Sequence, residues 1–153
     1  MKIAIACDHG GYLLKQDILI WLEENDIDYE DFGCYSTESV DYPVFAERAA
    51  RAVAAGECDK GIVICTTGIG VSIAANKVKG IRCALCTDSL QAEMTRRHND
   101  ANVLALGART VSEQEAERIV AVWLKTSFEG GRHARRIGKI AAYENKQEVN
   151  ANV

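Results

Sequence analysis

The chain of 153 residues has a hydrophobic share of 48%, a charged share of 26% and a net charge of -4. That is enough for a single domain, residues 1–153, with a sizeable core, and the mild acidic balance offers no footprint for nucleic acid or an anionic membrane surface. No stretch is apolar for long enough to span a bilayer.

Lys2 to Cys7 alternates into a first strand, ended by Asp8-His9-Gly10-Gly11. Met1 leads directly into that strand pattern and not into a signal peptide, so a cytoplasmic protein is expected. Leu14, Ile18, Trp21 and Leu22 recur on one helical face. Tyr29 to Phe32 reads as a weaker second strand and Gly33 to Ser39 as a polar loop. Asp41-Tyr42-Pro43 opens a helix, proline standing where its missing donor does no harm. Val44 to Ala55 continues that helix and Gly56 ends it.

Gly61 to Lys77 is the stretch around which the chain is organised. Ile62, Val63 and Ile64 form a short β-branched run of the kind buried on both faces of a parallel sheet. A turn through Cys65-Thr66-Thr67-Gly68-Ile69-Gly70 follows, then a helix of small residues from Val71 to Asn76. The glycines let a ligand approach the backbone, and free N–H groups at the helix start attract negative charge. A thiol at the mouth of such a turn is a candidate base or nucleophile beside an anion cradle.

Ile81 to Cys86 reads as the fourth strand, and Asp88 to His98 as a helix capped at Asp88-Ser89. Val103 to Leu106 is the fifth strand. Ser112 caps the next helix, with Glu115 completing a capping box, and Ala116, Ile119, Val120 and Trp123 lie on its inner face. Gly130-Gly131 breaks that helix. A basic segment from Arg132 to Arg136 starts the last one, and the polar tail from about Glu144 is expected to fray.

Alternating strands and helices imply right-handed βαβ units. The fold class expected is α/β: a Rossmann-like three-layer sandwich around a five-stranded parallel sheet of order 2-1-3-4-5. Its switch point lies between the first and third strands. Asp8-His9 and Cys65-Thr67 border that crevice.

Several chemistries are excluded. Asp8-His9-Gly10-Gly11 is not a dinucleotide fingerprint, and Gly70-Val71-Ser72 lacks the lysine of a Walker loop. Val71 stands where a cysteine phosphatase needs arginine, and Gly68 where a thioredoxin-like site needs a second thiol. Cysteines occur at 7, 34, 58, 65, 83 and 86. In a strand, the side chains of Cys83 and Cys86 point to opposite faces, and no second pair has zinc-finger spacing. No metal site and no cofactor are expected.

Asp8-His9-Gly10-Gly11, Asp41-Tyr42-Pro43, Cys65-x-Thr67-Gly68-x-Gly70, Ser72 to Lys77, Gly80-Ile81-Arg82, His98 to Ala105 and Gly130-Gly131-Arg132-His133-x-x-Arg136 stand in order along the chain. Together they resemble the type B ribose-5-phosphate isomerase family, which also holds the galactose-6-phosphate isomerase subunits. The resemblance covers about residues 2 to 142. Thr66 departs from it, since the family commonly has glycine there. A threonine stiffens the turn and narrows the space for a sugar.

The resemblance implies an aldose–ketose isomerase that moves a proton between C2 and C1 of ribose 5-phosphate through an enediolate. Such a reaction needs a base over those carbons, donors at the oxyanion and a hold on the phosphate. Cys65 is the implied base and His98 the ring-opening acid/base, with Asn99 a neighbouring sugar ligand. Thr67 and Asp8 are implied to hold sugar hydroxyls, and the backbone of Gly68, Ile69, Gly70, Val71 and Ser72 to meet the enediolate. His9, Arg109, Arg132 and Arg136 are implied phosphate ligands, the last two on one helical face. Tyr42 either lines the sugar pocket or packs beside Pro43.

Taken alone, these residues also fit plainer roles: a buried strand-end thiol for Cys65, a helix-end histidine for His98, turn or cap residues for Asp8 and Thr67, and a solvated basic helix start for the arginines. Two rival functions stand beside the leading one. One is a hexose 6-phosphate isomerase acting on allose or galactose phosphate, the other a non-catalytic sugar-phosphate-binding domain. Topology adds an expectation about partners. Cys65 ends a strand, whereas His98 ends a returning helix, so the two should lie at opposite edges of the sheet. If both are catalytic, His98 must serve a neighbour's site, and the protein must be a homodimer or higher with shared sites.

Overall fold

The computed structural model describes residues 1–151, with side chains to residue 146. Strands β1 (Lys2–Cys7), β2 (Asp28–Asp31), β3 (Lys60–Cys65), β4 (Cys83–Leu85) and β5 (Val103–Gly107) alternate with helices α1 (Tyr12–Glu24), α2 (Tyr42–Ala54), α3 (Ile69–Ala75), α4 (Ser89–Asn99) and α5 (Glu113–Lys125). Helix α6 (Arg132–Ala151) closes the chain. The fraying expected from about Glu144 falls largely on side chains outside the described residues. All strand pairs are parallel. No helix of the described residues is long and apolar enough to cross a membrane.

The sheet order is β2-β1-β3-β5-β4, which corrects the expected 2-1-3-4-5. The cause lies in the last two strands. Every residue of β5 is buried, as a central parallel strand requires. The three residues of β4 are half-buried, and a short strand is what an edge tolerates. The chain therefore steps from β3 over one position to β4, and α4 brings it back to insert β5 beside β3.

Alternation along the strands divides the core. Ile3, Ile5, Ile62, Ile64, Leu104 and Leu106 face α1 and α5, where Leu14, Ile18, Leu22, Ile119 and Trp123 meet them. Ala4, Ala6, Val63, Val103 and Ala105 face α2 and α3, against Ala46, Ala49, Ala50, Val71 and Ala75. The second face is built of small side chains, so α2 and α3 can pack close over the strand ends. Burying one large aliphatic side chain contributes about 1.5–3 kcal/mol, so the first face carries most of the hydrophobic stabilisation.

Helix starts follow the expected chemistry, with one difference. Asp88 accepts from the Gln91 N–H and Ser112 from the Glu115 N–H. The Glu115 carboxylate, however, accepts from Ser89 Oγ on α4 and does not turn back to close a capping box. It ties α5 to α4 instead.

Candidate active site

Three central strands, β1, β3 and β5, end side by side at the carboxyl edge of the sheet. The Asp8 N–H donates to Ile64 O at 3.1 Å, the Ala108 N–H to Cys65 O at 2.8 Å and the Arg109 N–H to Thr66 O at 2.9 Å. The loops after these strands are thus stitched into one wall, with Cys65 at its centre. Because β5 and not β4 lies next to β3, Arg109 is a direct neighbour of the Cys65 turn. The expected strand order would have set it one strand further away.

Cys65 is buried, and its Sγ accepts a hydrogen bond from the Gly68 N–H at 3.1 Å. The turn depends on Gly68, whose φ is +76° and whose added Cβ would lie 2.5 Å from Leu85 Cδ1 and 2.8 Å from Leu106 C. Burial pushes Cys7, Cys58 and Cys83 up and takes Cys86 to about 12, which suits small apolar core residues.

The backbone donors expected at this turn divide into two groups. Gly68 gives its N–H to Cys65, Ile69 to Thr67 Oγ1 at 3.3 Å, and Ser72 to Gly68 O at 3.2 Å. The Ser72 hydroxyl donates to Ile69 O. Gly70 and Val71 keep their N–H groups without a partner among the described residues, as the first turn of a helix must. They are the donors left for an anion.

Around this turn, Tyr42 lays its ring over Gly70, where an added Cβ would meet ring atoms at 2.8 Å. Its ring therefore borders the turn. Asp8 caps the short 3-10 turn His9–Gly11 through Oδ1, which accepts from the Gly11 N–H at 3.0 Å. His9 Nδ1 accepts from the Val40 N–H at 3.2 Å, which sets the proton of the neutral ring on Nε2. Thr66 Oγ1 occupies the space that a Cβ at Gly10 would need, at 2.2 Å. The hydroxyl sits between the two loops, so Thr66 fills part of the crevice.

At the amino edge stand the remaining expected site residues. Gly61 of β3 pairs with Val103 of β5, and the Gly61 N–H donates to Asn102 O. His98 and Asn99, at the end of α4, lie on that side. Four residue steps of strand separate it from Cys65, roughly 13 Å. Arg132 and Arg136 are exposed at the start of α6 and make no ion pair among the described residues. The fold brings Asp8, His9, Tyr42, Thr67 and Arg109 to Cys65, and leaves His98, Asn99, Arg132 and Arg136 at the far edge.

Two residues beside His98 had no role in the sequence reading. His133 stacks on His98 with ring centroids 4.2 Å apart and planes 9° from parallel. Glu129 Oε2 lies 3.3 Å from His133 Nε2 and 3.9 Å from His98 Nε2. Burial first, then His98 and Arg132, push the His133 pKa down. The Arg97 guanidinium, bonded to Glu129 at 2.6 Å, holds that carboxyl below the usual range. The four-residue spacing of Glu129 and His133 was legible, but its meeting with α4 was not. Together with His98 these two side chains form one close group of metal-type donors.

A profile of the family described as Ribose/Galactose Isomerase matches residues 3–140. A putative sugar phosphate isomerase of Bacillus subtilis is 53% identical over 147 residues, covering 95% of this chain and 99% of its own. The ribose-5-phosphate isomerase B of Escherichia coli is 48% identical over 146 residues, at 95% and 98% coverage. Among solved structures, the ribose-5-phosphate isomerase B of Clostridium thermocellum superposes with a TM-score of 0.95 at 57% identity, over 96% of this chain and 99% of that one. That of Mycoplasma genitalium, determined with bound ribulose 5-phosphate, superposes with a TM-score of 0.90 at 45% identity, over 94% and 96%.

Proposed function

This chain belongs to the ribose/galactose isomerase family and is an aldose–ketose isomerase that interconverts ribose 5-phosphate and ribulose 5-phosphate; from that premise we propose how its own residues carry the reaction. The observation that carries the reading is Cys65, a thiol at the carboxyl edge of the sheet with the free N–H groups of Gly70 and Val71 beside it. As thiolate, Cys65 takes the proton from C2 of the open-chain aldose and returns it to C1. Charge that develops on the sugar oxygen meets Gly70 and Val71 N–H, donors that are fixed before reaction and cost no reorganisation. The Thr67 hydroxyl, within the same turn, exchanges the proton between O1 and O2, and Asp8 holds a sugar hydroxyl through Oδ2. Tyr42 walls the sugar on the α2 side.

The phosphate is held by His9 and Arg109 from the same chain. We place His98, Asn99, Arg132 and Arg136 in the site of a second copy, because they share the amino edge and a full strand separates them from Cys65. The protein then works as a homodimer or higher oligomer, each site built from two chains. Within it His98 opens the furanose, taking the proton of the C1 hydroxyl and passing one to the ring oxygen. Six free cysteines support a reducing, cytoplasmic setting.

A coupled assay of ketose formation from ribose, allose and galactose phosphates tests the assignment. Turnover of ribose 5-phosphate well above the hexose phosphates is expected, since Thr66 narrows the crevice. Preference for a hexose phosphate would overturn it.

A further inference from the structure

Apart from the Cys65 site, the described residues contain one group of three side chains with the donor chemistry of a transition-metal site. One ring nitrogen each of His98 and His133 and one carboxylate oxygen of Glu129 lie within 4.8 Å of one another. A second observation points to a ligand there. His133 is 5% exposed, and its Nε2 has no hydrogen-bond partner although it faces Glu129 Oε2. A buried nitrogen left without a partner calls for an explanation.

We infer that His98, Glu129 and His133 form a binding site for one zinc-class divalent cation, and that filling it stops isomerisation by taking up the ring nitrogen of His98. The inhibitory half rests on the reading that His98 serves the reaction; the binding half does not.

Two imidazoles and one carboxylate are the donor set of zinc, nickel and copper, and not of calcium or magnesium. Ligand atoms around tetrahedral zinc, each about 2.0–2.2 Å from the metal, stand about 3.3 Å apart. Glu129 and His133 already have that separation, at 3.3 Å. Imidazole binds a metal in its own plane, so His98 must leave its parallel stack on His133 and turn its ring toward Glu129, and with 37% of its side chain exposed it has room to do so. Arg97 grips Glu129 through Oε1 at 2.6 Å and leaves Oε2 directed at the rings, the outer-shell support that metal sites use. Opposing this, Arg97, Arg132 and Arg136 add positive charge nearby. The balance describes an exchangeable, inhibitory ion and not a structural one.

The test uses the full-length protein in its native oligomer, stripped with EDTA and titrated with zinc and, separately, with cobalt. One ion per chain is expected, with activity falling in step with occupancy and returning on chelation. Bound cobalt should show nitrogen–oxygen ligation and no thiolate charge-transfer band, and Cys65→Ser should bind it equally. Glu129→Gln and His133→Asn should each weaken binding by at least about tenfold, since even outer-shell changes cost on the order of ten- to a hundred-fold. Absence of binding, a thiolate band, or affinity untouched by both substitutions would overturn the site. Full occupancy at these ligands with activity intact would overturn the inhibitory half, and with it the role given to His98.

Discussion

The Gly68 N–H donates to Cys65 Sγ at 3.1 Å across a turn that only glycine can make. This bond fixes where the sulfur points, because Gly68 is itself locked between Leu85 and the β5 backbone. Cys65→Ala should therefore lower turnover by about a hundred- to ten-thousand-fold, the usual share of a positioned base, while KM moves little. Steady-state kinetics check it, and turnover within a few-fold of the wild type would remove Cys65 from the reaction.

Gly68→Ala should damage both stability and rate. A left-handed φ on a residue with a side chain costs about 1–3 kcal/mol, and the added Cβ meets backbone at 2.8 Å, which cannot swing away. Urea unfolding should show the loss. An unchanged unfolding midpoint would mean that the turn relaxes without cost.

Alkylation should separate the cysteines. Thiolate is the reactive form, and Cys86, pushed up to about 12 by burial, carries it in only about one molecule in ten thousand at pH 8. Cys7, Cys58 and Cys83 are raised for the same first reason. Raised thiols gain reactivity only as pH climbs toward their pKa, so at pH 8 iodoacetamide should largely spare these four; modification of Cys65 should abolish activity, and ribose 5-phosphate should protect it. Peptide mass spectrometry reads the site. Preferential labelling of Cys86 would contradict this account.

Arg136→Ala should mainly raise KM, because Arg132 and Arg136 lie on one helical face and neither is engaged by a carboxylate among the described residues. Unphosphorylated ribose should be a poor substrate of the wild-type enzyme. Equal turnover of ribose and ribose 5-phosphate would rule out a phosphate clamp.

Much of this arrangement is legible in residue pattern, for physical reasons. Strands such as Lys2–Cys7 and the turn at Cys65 are set by local periodicity and by the conformations open to glycine, which a sequence displays directly. Strand order is not local. Nothing in the spacing of Ile81 to Cys86 says that it will lie outside β5, although its polar flanks, against the wholly apolar Val103-Leu104-Ala105-Leu106, carry the hint. Thr67 was legible as a turn residue, and its Oγ1 does accept from the Ile69 N–H. The stack of His98 on His133 was beyond reach, since it needs α4 and α6 to meet and the left-handed pair Gly130 and Gly131 to turn the chain back.

The opposite placement of Cys65 and His98 leads to the most demanding prediction. Cys65 pairs with Gly107 at one end of the β3–β5 ladder, and Gly61 with Val103 at the other, just after the segment that holds His98. No rotation of side chains spans roughly 13 Å of strand. A chain carrying Cys65→Ala keeps a sound His98, and a chain carrying His98→Asn keeps a sound Cys65. Each homodimer should fail to convert ribose 5-phosphate. After exchange of subunits, half the dimers are mixed under random pairing, and each has one intact centre of two, so about a quarter of wild-type activity should return. The direction of reaction adds a control. Ribulose 5-phosphate has its C5 oxygen esterified and cannot close a furanose, so His98→Asn should retain more turnover from ribulose 5-phosphate than from ribose 5-phosphate. Exchange demonstrated by mass spectrometry without recovery of activity would mean that each chain completes its own site, and that His98 takes no part in opening the ring.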